Sequence, residues 1–521
     1  MAAKHDAIVV GAGAAGGLAA ALLCERGLSV LLLDAGTRYP FWKKPLSKTV
    51  AATIGGISDP RLARVLPPRL INAAMKVLRG VGRVRQPVQT ECFAWVQKPD
   101  GFVDDRDHPY ETPPGQPFNW IRSHGLGGRM VVPGHGRQYY RFGETDVGPK
   151  TDGPSPWPFG IDELEPWYRE VERRLRLTGA REGIAYIPDS AITHEISPSA
   201  SEKVLFDSIR SAWPDAPVML SRYAPPVNFK RVAEDTGRLT VRGNALAQRV
   251  LAGTDGRASG VEWLDPLTGV RESAEAPIVF LCASSLESTR ILLNSGTQAG
   301  ALSDQLPALG RYLTDHVMVK AEGISPALPM SAEVEPGRCV YLPRFDLRAG
   351  GNPQDRGYGV QLYSTVNVSG AWTTAAAFGE SAPSPENRVS LSKDKTDKWG
   401  APVLRIEMQW GERERALAAS MSTALTDLFG TIGAKVLVRP DRAAPPGTSV
   451  HECGGARLGT DAQTSVLTSQ NECWAMPGLY VTDGAALPSQ GIQNPTLTIM
   501  ALTARACAHA AGSRPSLQPA P

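Results

Sequence analysis

DAIVVGAGAAGGLAAALLCERGLSVLLLDAG (residues 6–36) opens on a short apolar run, Asp6 to Val10, that reads as a buried strand. Gly11, Gly13 and Gly16 follow at G-x-G-x-x-G spacing, with the small residues Ala14 and Ala15 between them. A helix-like run, LAAALLCERG, comes next, then a second strand, Leu28 to Leu33, ending on Asp34. Glycine permits the tight turn and lets backbone approach a pyrophosphate, whose charge sits on the helix N-terminus. An acid about 20 residues further on is placed to accept hydrogen bonds from the adenosine ribose, and Asp34 stands there. Strand, fingerprint, helix, strand and acid in one βαβ unit predict a dinucleotide site. These residues alone suit FAD and NAD equally.

The rest of the composition narrows the class. A chain of 521 residues is long enough for two or three folding units, and 42% hydrophobic with 21% charged residues is ordinary for a globular enzyme. With 55 basic against 52 acidic residues and no basic block, nothing points to a nucleic-acid partner. The apolar run Ala7 to Val10 is far short of the roughly 20 residues that cross a bilayer, and no signal peptide or twin-arginine pair precedes it. No membrane span and a cytoplasmic location are the expectations. Seven cysteines, an odd number without a C-x-x-C pair, argue against zinc and iron–sulfur sites and predict reduced thiols and no metal.

Residues 39–118 lack a sustained period and read as irregular structure with short helices. RSHGLGGRMVVPGHGRQYYRF (Arg122 to Phe142) is glycine-dense, and Gly127 and Gly128 suit backbone pressed against a flat cofactor. IDELEPWYREVERRLRLTG has the apolar spacing of an amphipathic helix closed by Gly179. LTVRGNALAQRVL (Leu239 to Leu251) alternates like a strand pair, and IVFLCASSLESTRILLNSG reads as a buried strand running into a helix. From Val319 to about Ser449, stretches such as RVSLS and VLRIEMQW predict a separate, largely antiparallel sheet. The tail, GSRPSLQPAP, is expected to be disordered.

The C-terminal segments HECGGARLGTD (His451 to Asp461) and MPGLYVTDGAALPSQGIQNPTLTIMALTARA (Met476 to Ala506) closely resemble the closing signature of the glucose–methanol–choline (GMC) oxidoreductase family. The fingerprint, GLGGR, SSLESTRILLNSG, GRYLTDH (Gly310 to His316) and PENRVSLSKDKTDKWGAPVLRI add likenesses in family order. Asp34-Ala35-Gly36 also resembles the ending found in FAD-binding proteins of the two-dinucleotide fold. Within the family, WPFGIDELEPWYREVERRLRLTG and the C-terminal wording look most like the sugar-oxidising branch: pyranose oxidases, C-glycoside oxidases and bacterial sugar dehydrogenase large subunits. The chain departs from the family at Gly455, usually Thr, and Leu458, usually Met. Where some pyranose oxidases carry a flavin-linking histidine it has Val132, which predicts noncovalent FAD; His124 and His135 stay open.

The resemblance implies an α/β (α+β overall) chain: an FAD-binding, doubly wound Rossmann-like domain from residues 1–40, 235–320 and 450–515, with an inserted substrate domain. That insert, residues 150–234 and 321–449, is built on the antiparallel sheet; 41–149 is a mixed connecting region with the flavin-contacting glycine-rich loop, and 512–521 is the tail. By motif position His451 resembles the catalytic base and Asn494 its partner, while His316 is expected to be structural and outside the site. Cofactor contacts fall on Gly11, Gly13, Ala14, Ala15, Gly16, Asp34, Ala35, Gly127, Gly128, Ala247, Asp483, Gly484, Asn494, Pro495 and Thr496. The implied reaction is oxidation of a primary or secondary hydroxyl group of a sugar, glycoside or polyol, with a histidine base suited to neutral pH. The implied partners are that small molecule, oxygen or another electron acceptor, and a homo-oligomer or accessory electron-transfer subunit. A non-sugar alcohol oxidase, a flavin-containing lyase and a non-catalytic subunit remain alternatives.

Overall fold

The computed structural model describes residues 5–36, 86–92, 94–95, 101–132, 134–184, 186–325, 328, 337–367 and 370–512. The expectations for residues 39–85 and for the tail beyond residue 512 lie outside the described residues.

The fingerprint strand Ala7–Val10 is the middle strand of a five-stranded parallel sheet. Val30–Leu33 and then Leu239–Arg242 lie to one side of it, Ile278–Leu281 and then Leu479–Val481 to the other. Continuous apolar strands such as AIVV and VLLL suit a sheet covered on both faces, and both are wholly buried. The helix Ala14–Glu25 packs against Phe229–Asp235 and Thr496–Ala510. Chain connections leave Ala7–Val10 toward one side and return on the other, so its C-terminal end, at Gly11, is a topological switch point where ligands bind in such sheets.

Two readings of local structure are corrected. LTVRGNALAQRVL does form two strands, but they do not pair with each other. Leu239–Arg242 closes the parallel sheet, whereas Leu246–Ala252 begins a three-stranded antiparallel sheet, the chain turning at Asn244 with φ of 55°. The helix expected to run to Gly179 stops at Leu175, because Arg176 takes the left-handed conformation (φ 55°) and Thr178–Gly179 pairs as a short strand.

The second large sheet is antiparallel and six-stranded, in the order Lys435–Val438, Val317–Ser325, Gly370–Gly379, Tyr358–Asn367, Val340–Leu342, Met219–Leu220. Its alternation separates two faces. Val317, Val319, Ala321, Val360, Leu362, Ala375 and Ala377 form a core with Met421, Leu425 and Phe429 of the 20-residue helix Glu412–Thr431. The opposite face carries Tyr341 across from Gln361, and Phe378 across from Gly359. All seven cysteines are buried and unbridged. No helix among the described residues is long and apolar enough to cross a membrane.

Candidate active site

The polar face of the antiparallel sheet and the segment before the C-terminal helix meet at His451. Its Nε2 lies 3.2 Å from Asn494 Nδ2, and its Nδ1 lies 2.8 Å from His316 Nδ1. His316 Nε2 is 2.9 Å from the carbonyl oxygen of Gly491. Gln361 donates from Nε2 to Asn494 Oδ1 at 2.6 Å and accepts from the Tyr363 hydroxyl at 2.8 Å. Phe378 packs on both imidazoles, with ring centroids 5.9 Å from His316 and 5.5 Å from His451. His316 was expected to stand apart from the site; its ring is in direct contact with His451. The T-D-H triplet puts it at the entrance to the Val317–Ser325 strand, and only the pairing of that strand with Gly370–Gly379 brings it beside Phe378.

The loop that presents His451 is held by charge. Asp315 is wholly buried, accepting from Gly447 N at 2.7 Å and from the Ser449 hydroxyl; Ser449 Oγ in turn accepts from His451 N at 3.3 Å. Burial, then the nearby Glu452, pushes the Asp315 carboxyl up to about 7. Arg129 of the glycine-rich loop donates to Val450 O at 2.6 Å and forks onto both Glu452 oxygens at 2.9 and 2.8 Å. Val450 needs this support: a β-branched residue at φ 60° costs about 1–3 kcal/mol, and such strain collects at functional sites. Burial, followed by His316, Arg129 and His135, holds the His451 pKa well below the usual imidazole value. At neutral pH the His451 imidazole is uncharged.

Profiles described as GMC oxidoreductase match residues 231–318 and 383–503, and one described as an NAD(P)-binding Rossmann-like domain matches residues 9–40. The chain is a GMC oxidoreductase. It is 25% identical over 442 residues to 2-methyl-1,2-propanediol dehydrogenase of Mycolicibacterium austroafricanum, covering 73% of this chain and 79% of that protein. It is 28% identical over 285 residues to C-glycoside 3-oxidase of Microbacterium trichothecenolyticum, a match spanning about half of each chain (52% and 54%). The crystal structure of pyridoxine 4-oxidase from Mesorbium loti superposes with a TM-score of 0.58 at 18% identity, covering 97% of this chain and 98% of that one, which establishes the shared fold. GMC oxidoreductases act on CH–OH groups and are generally flavin-dependent.

The fingerprint of this GMC oxidoreductase has the features a dinucleotide requires. Gly11 is at φ 97°, and a Cβ there would meet Cys282 O at 2.4 Å; one on Gly16 would meet Gly11 O at 1.7 Å. A Cβ on Gly13 would meet nothing within 4 Å. It faces a cavity of about 230 Å³ lined by Ala12, Ala14, Gly17, Gly127 and Lys230, in front of a helix with neither a side-chain cap nor an acidic residue in its first turn. The helix Thr496–Ala510, which starts beside Asn494 on Pro495, is equally bare at its N-terminus. Both termini can take negative charge from a phosphate or a reduced flavin ring. Gly127 and Gly128, at φ 109° and 57°, set the glycine-rich loop against Gly13.

Other predicted contacts have partners within the protein. The Asp34 carboxylate accepts from Ala12 N at 2.7 Å, Gly36 N at 2.6 Å and the Gly127 amide. It therefore clamps the fingerprint turn to the glycine-rich loop, leaving one of its four or so lone-pair positions for a ribose. Next to it, Ala35 is half-buried, and Ala245 N bonds to the Asp34 carbonyl at 3.0 Å, which brings Ala247 to the same end of the sheet. The Ala247 carbonyl accepts from Arg290 at 2.6 Å. Asp483 accepts from the Ser288 hydroxyl at 2.5 Å and from Ala485 N at 2.9 Å, capping the turn that contains Gly484. Val132 is buried in an apolar cluster with Ile121 and Trp95, and His135 Nε2 contacts Cys92 Sγ at 3.4 Å. His124 stacks edge-on against His108, centroids 4.5 Å apart. Gly455, where the family usually has Thr, sits at φ 94° with Thr289 Oγ1 2.4 Å from the position of a Cβ.

Proposed function

We propose that this GMC oxidoreductase uses noncovalent FAD to oxidise a hydroxyl-bearing carbon of a sugar, glycoside or related polyol. The observation that carries this reading is the His451 Nε2 and Asn494 Nδ2 pair, 3.2 Å apart, on the polar face of the antiparallel sheet. His451 Nε2 takes the hydroxyl proton, which must leave as the carbon loses its hydride. Asn494 Nδ2 donates to the same oxygen without competing for the proton. FAD, when bound, supplies the hydride acceptor. Gly11, Gly13, Ala14, Ala15 and Gly16 would hold its pyrophosphate. Asp34, Ala35 and Ala247 would hold the adenosine side, and Gly127, Gly128, Asp483, Gly484, Pro495 and Thr496 the flavin side. Residues 1–40, 235–320 and 450–515 then act as the FAD unit, with 150–234 and 321–449 as the substrate unit.

The polyhydroxylated class is supported by the C-glycoside 3-oxidase relative and by the polar amide of Gln361 beside Asn494. Noncovalent attachment is supported by Val132 at the linking position and by the contact of His135 with Cys92. Acid precipitation should therefore release the flavin to the supernatant; flavin in the pellet would refute this and direct attention to His135 and His124. The function itself is tested by anaerobic addition of sugars, glycosides, aminosugars and simple alcohols to the yellow protein. Bleaching by sugars or glycosides is the expected result, and readmitted oxygen then shows whether oxygen serves as acceptor. Bleaching by none of them would end the proposal.

A further inference from the structure

The hydrogen-bond chain through His451 can be given a direction from its two ends. The carbonyl of Gly491 only accepts, so His316 Nε2, 2.9 Å away, carries a proton. His316 is 1% exposed, and burial pushes its pKa down to about 4, so the ring is neutral and its Nδ1 is a bare lone pair. His451 Nδ1, 2.8 Å from that lone pair, must be the donor. A neutral His451 then has its own lone pair on Nε2, where Asn494 Nδ2 points at 3.2 Å. The remaining links agree, since Gln361 Nε2 donates to Asn494 Oδ1 and the Tyr363 hydroxyl donates to Gln361 Oε1. Each donor meets an acceptor in a single sense from Tyr363 to Gly491. The reverse sense would need protons on both nitrogens of His316, a cation in a site that disfavours one.

We propose that His316 is a positioning residue for the oxidation: anchored on Gly491 O, it fixes His451 as the Nδ1–H tautomer and so presents the base lone pair, on Nε2, to the substrate oxygen. This rests on the function proposed above. An acceptor on Nδ1 is what orients a catalytic imidazole elsewhere, usually a carboxylate. A carboxylate would also raise the pKa of the base, whereas a neutral ring leaves it unprotonated at neutral pH. When Nε2 takes the substrate proton, the Nδ1–H bond to His316 becomes charge-assisted and strengthens, which favours proton transfer. Gln361 does the same for Asn494, holding its oxygen away from His451 and its NH₂ toward it.

The test uses the flavin-loaded protein and a substrate that bleaches it. His316→Phe should keep the flavin and slow anaerobic flavin reduction at saturating substrate by about 10- to 10²-fold, the range lost when a partner that orients a functional histidine is removed. Apparent substrate affinity should change far less. His316→Gln, whose amide can accept from His451 and donate to Gly491, should recover most of the rate. In a His451→Ala background, His316→Phe should cause no further loss, because the two act as one unit. On the unmutated protein, ¹⁵N-imidazole NMR, with the His451 signals identified by their absence in His451→Ala, should show Nδ1 protonated and Nε2 bare. A protonated Nε2, a fast His316→Phe beside a slow His451→Ala, or independent losses in the double variant would each overturn the proposal. If His451→Ala itself reduces flavin at the normal rate, the fault lies in the proposed function instead. The NMR result decides the matter even if the Phe variant loses its flavin.

Discussion

The His451→Ala variant is expected to retain flavin while reducing it about 10²- to 10⁴-fold more slowly, the usual contribution of a positioned acid–base group. Alanine removes the nitrogen lone pair that His451 offers at Asn494. Asn494→Ala should cost less, because the base remains and only the donor to the substrate oxygen is lost. With His451 as the proposed base its neutral form is the active one, so the reduction rate should rise with pH through its pKa and level off above it. Burial holds that pKa well below the usual value of about 6.5, which puts the rising limb in the acid range and the plateau at neutral pH. The limb should vanish in His451→Ala. Anaerobic stopped flow measures all of this; unimpaired reduction in both single variants would remove the catalytic assignment.

The second large effect separates two kinds of glycine in one motif. Gly16→Ala places a Cβ 1.7 Å from Gly11 O, so the fingerprint turn must move, and both thermal stability and flavin content should fall. Gly13→Val meets no protein atom within 4 Å of its Cβ and has an ordinary φ of −69°. It should fold as stably as the parent yet fill the cavity before the helix. Crowding of that kind costs about 1–3 kcal/mol, or roughly 5- to 150-fold in flavin affinity. Flavin titration of the apoprotein, read beside its melting temperature, distinguishes the two. Normal flavin affinity in Gly13→Val would mean that the cofactor lies elsewhere.

How much of this was legible depended on range. The parallel strands Ala7–Val10, Val30–Leu33 and Ile278–Leu281 and the fingerprint could be read because continuous apolar runs and glycine spacing are local signals. The helix Glu412–Thr431 was missed: its buried side includes Ala418, Met421, Ala424, Leu425 and Leu428, but alanine and threonine dilute the stripe. The contact of His316 with His451 spans 135 residues and depends on how two sheets dock. Nothing beside His316 in sequence reports it, and a lone buried histidine is usually structural. Asp34 shows the converse, a motif residue whose carboxylate is largely committed to backbone amides.

The seven enclosed cysteines bear on chemical endurance. Burial pushes the thiols of Cys24, Cys282, Cys339, Cys453, Cys473 and Cys507 up, away from the thiolate that reacts with oxidants. With oxygen as acceptor, each turnover would release hydrogen peroxide inside the protein, and the first rung of cysteine oxidation requires a thiolate to attack it. Cys453 lies two residues from His451, with its Sγ donating to the His451 carbonyl at 3.2 Å. Protonated, hydrogen-bonded and shut away from solvent, it would be a poor target for that peroxide.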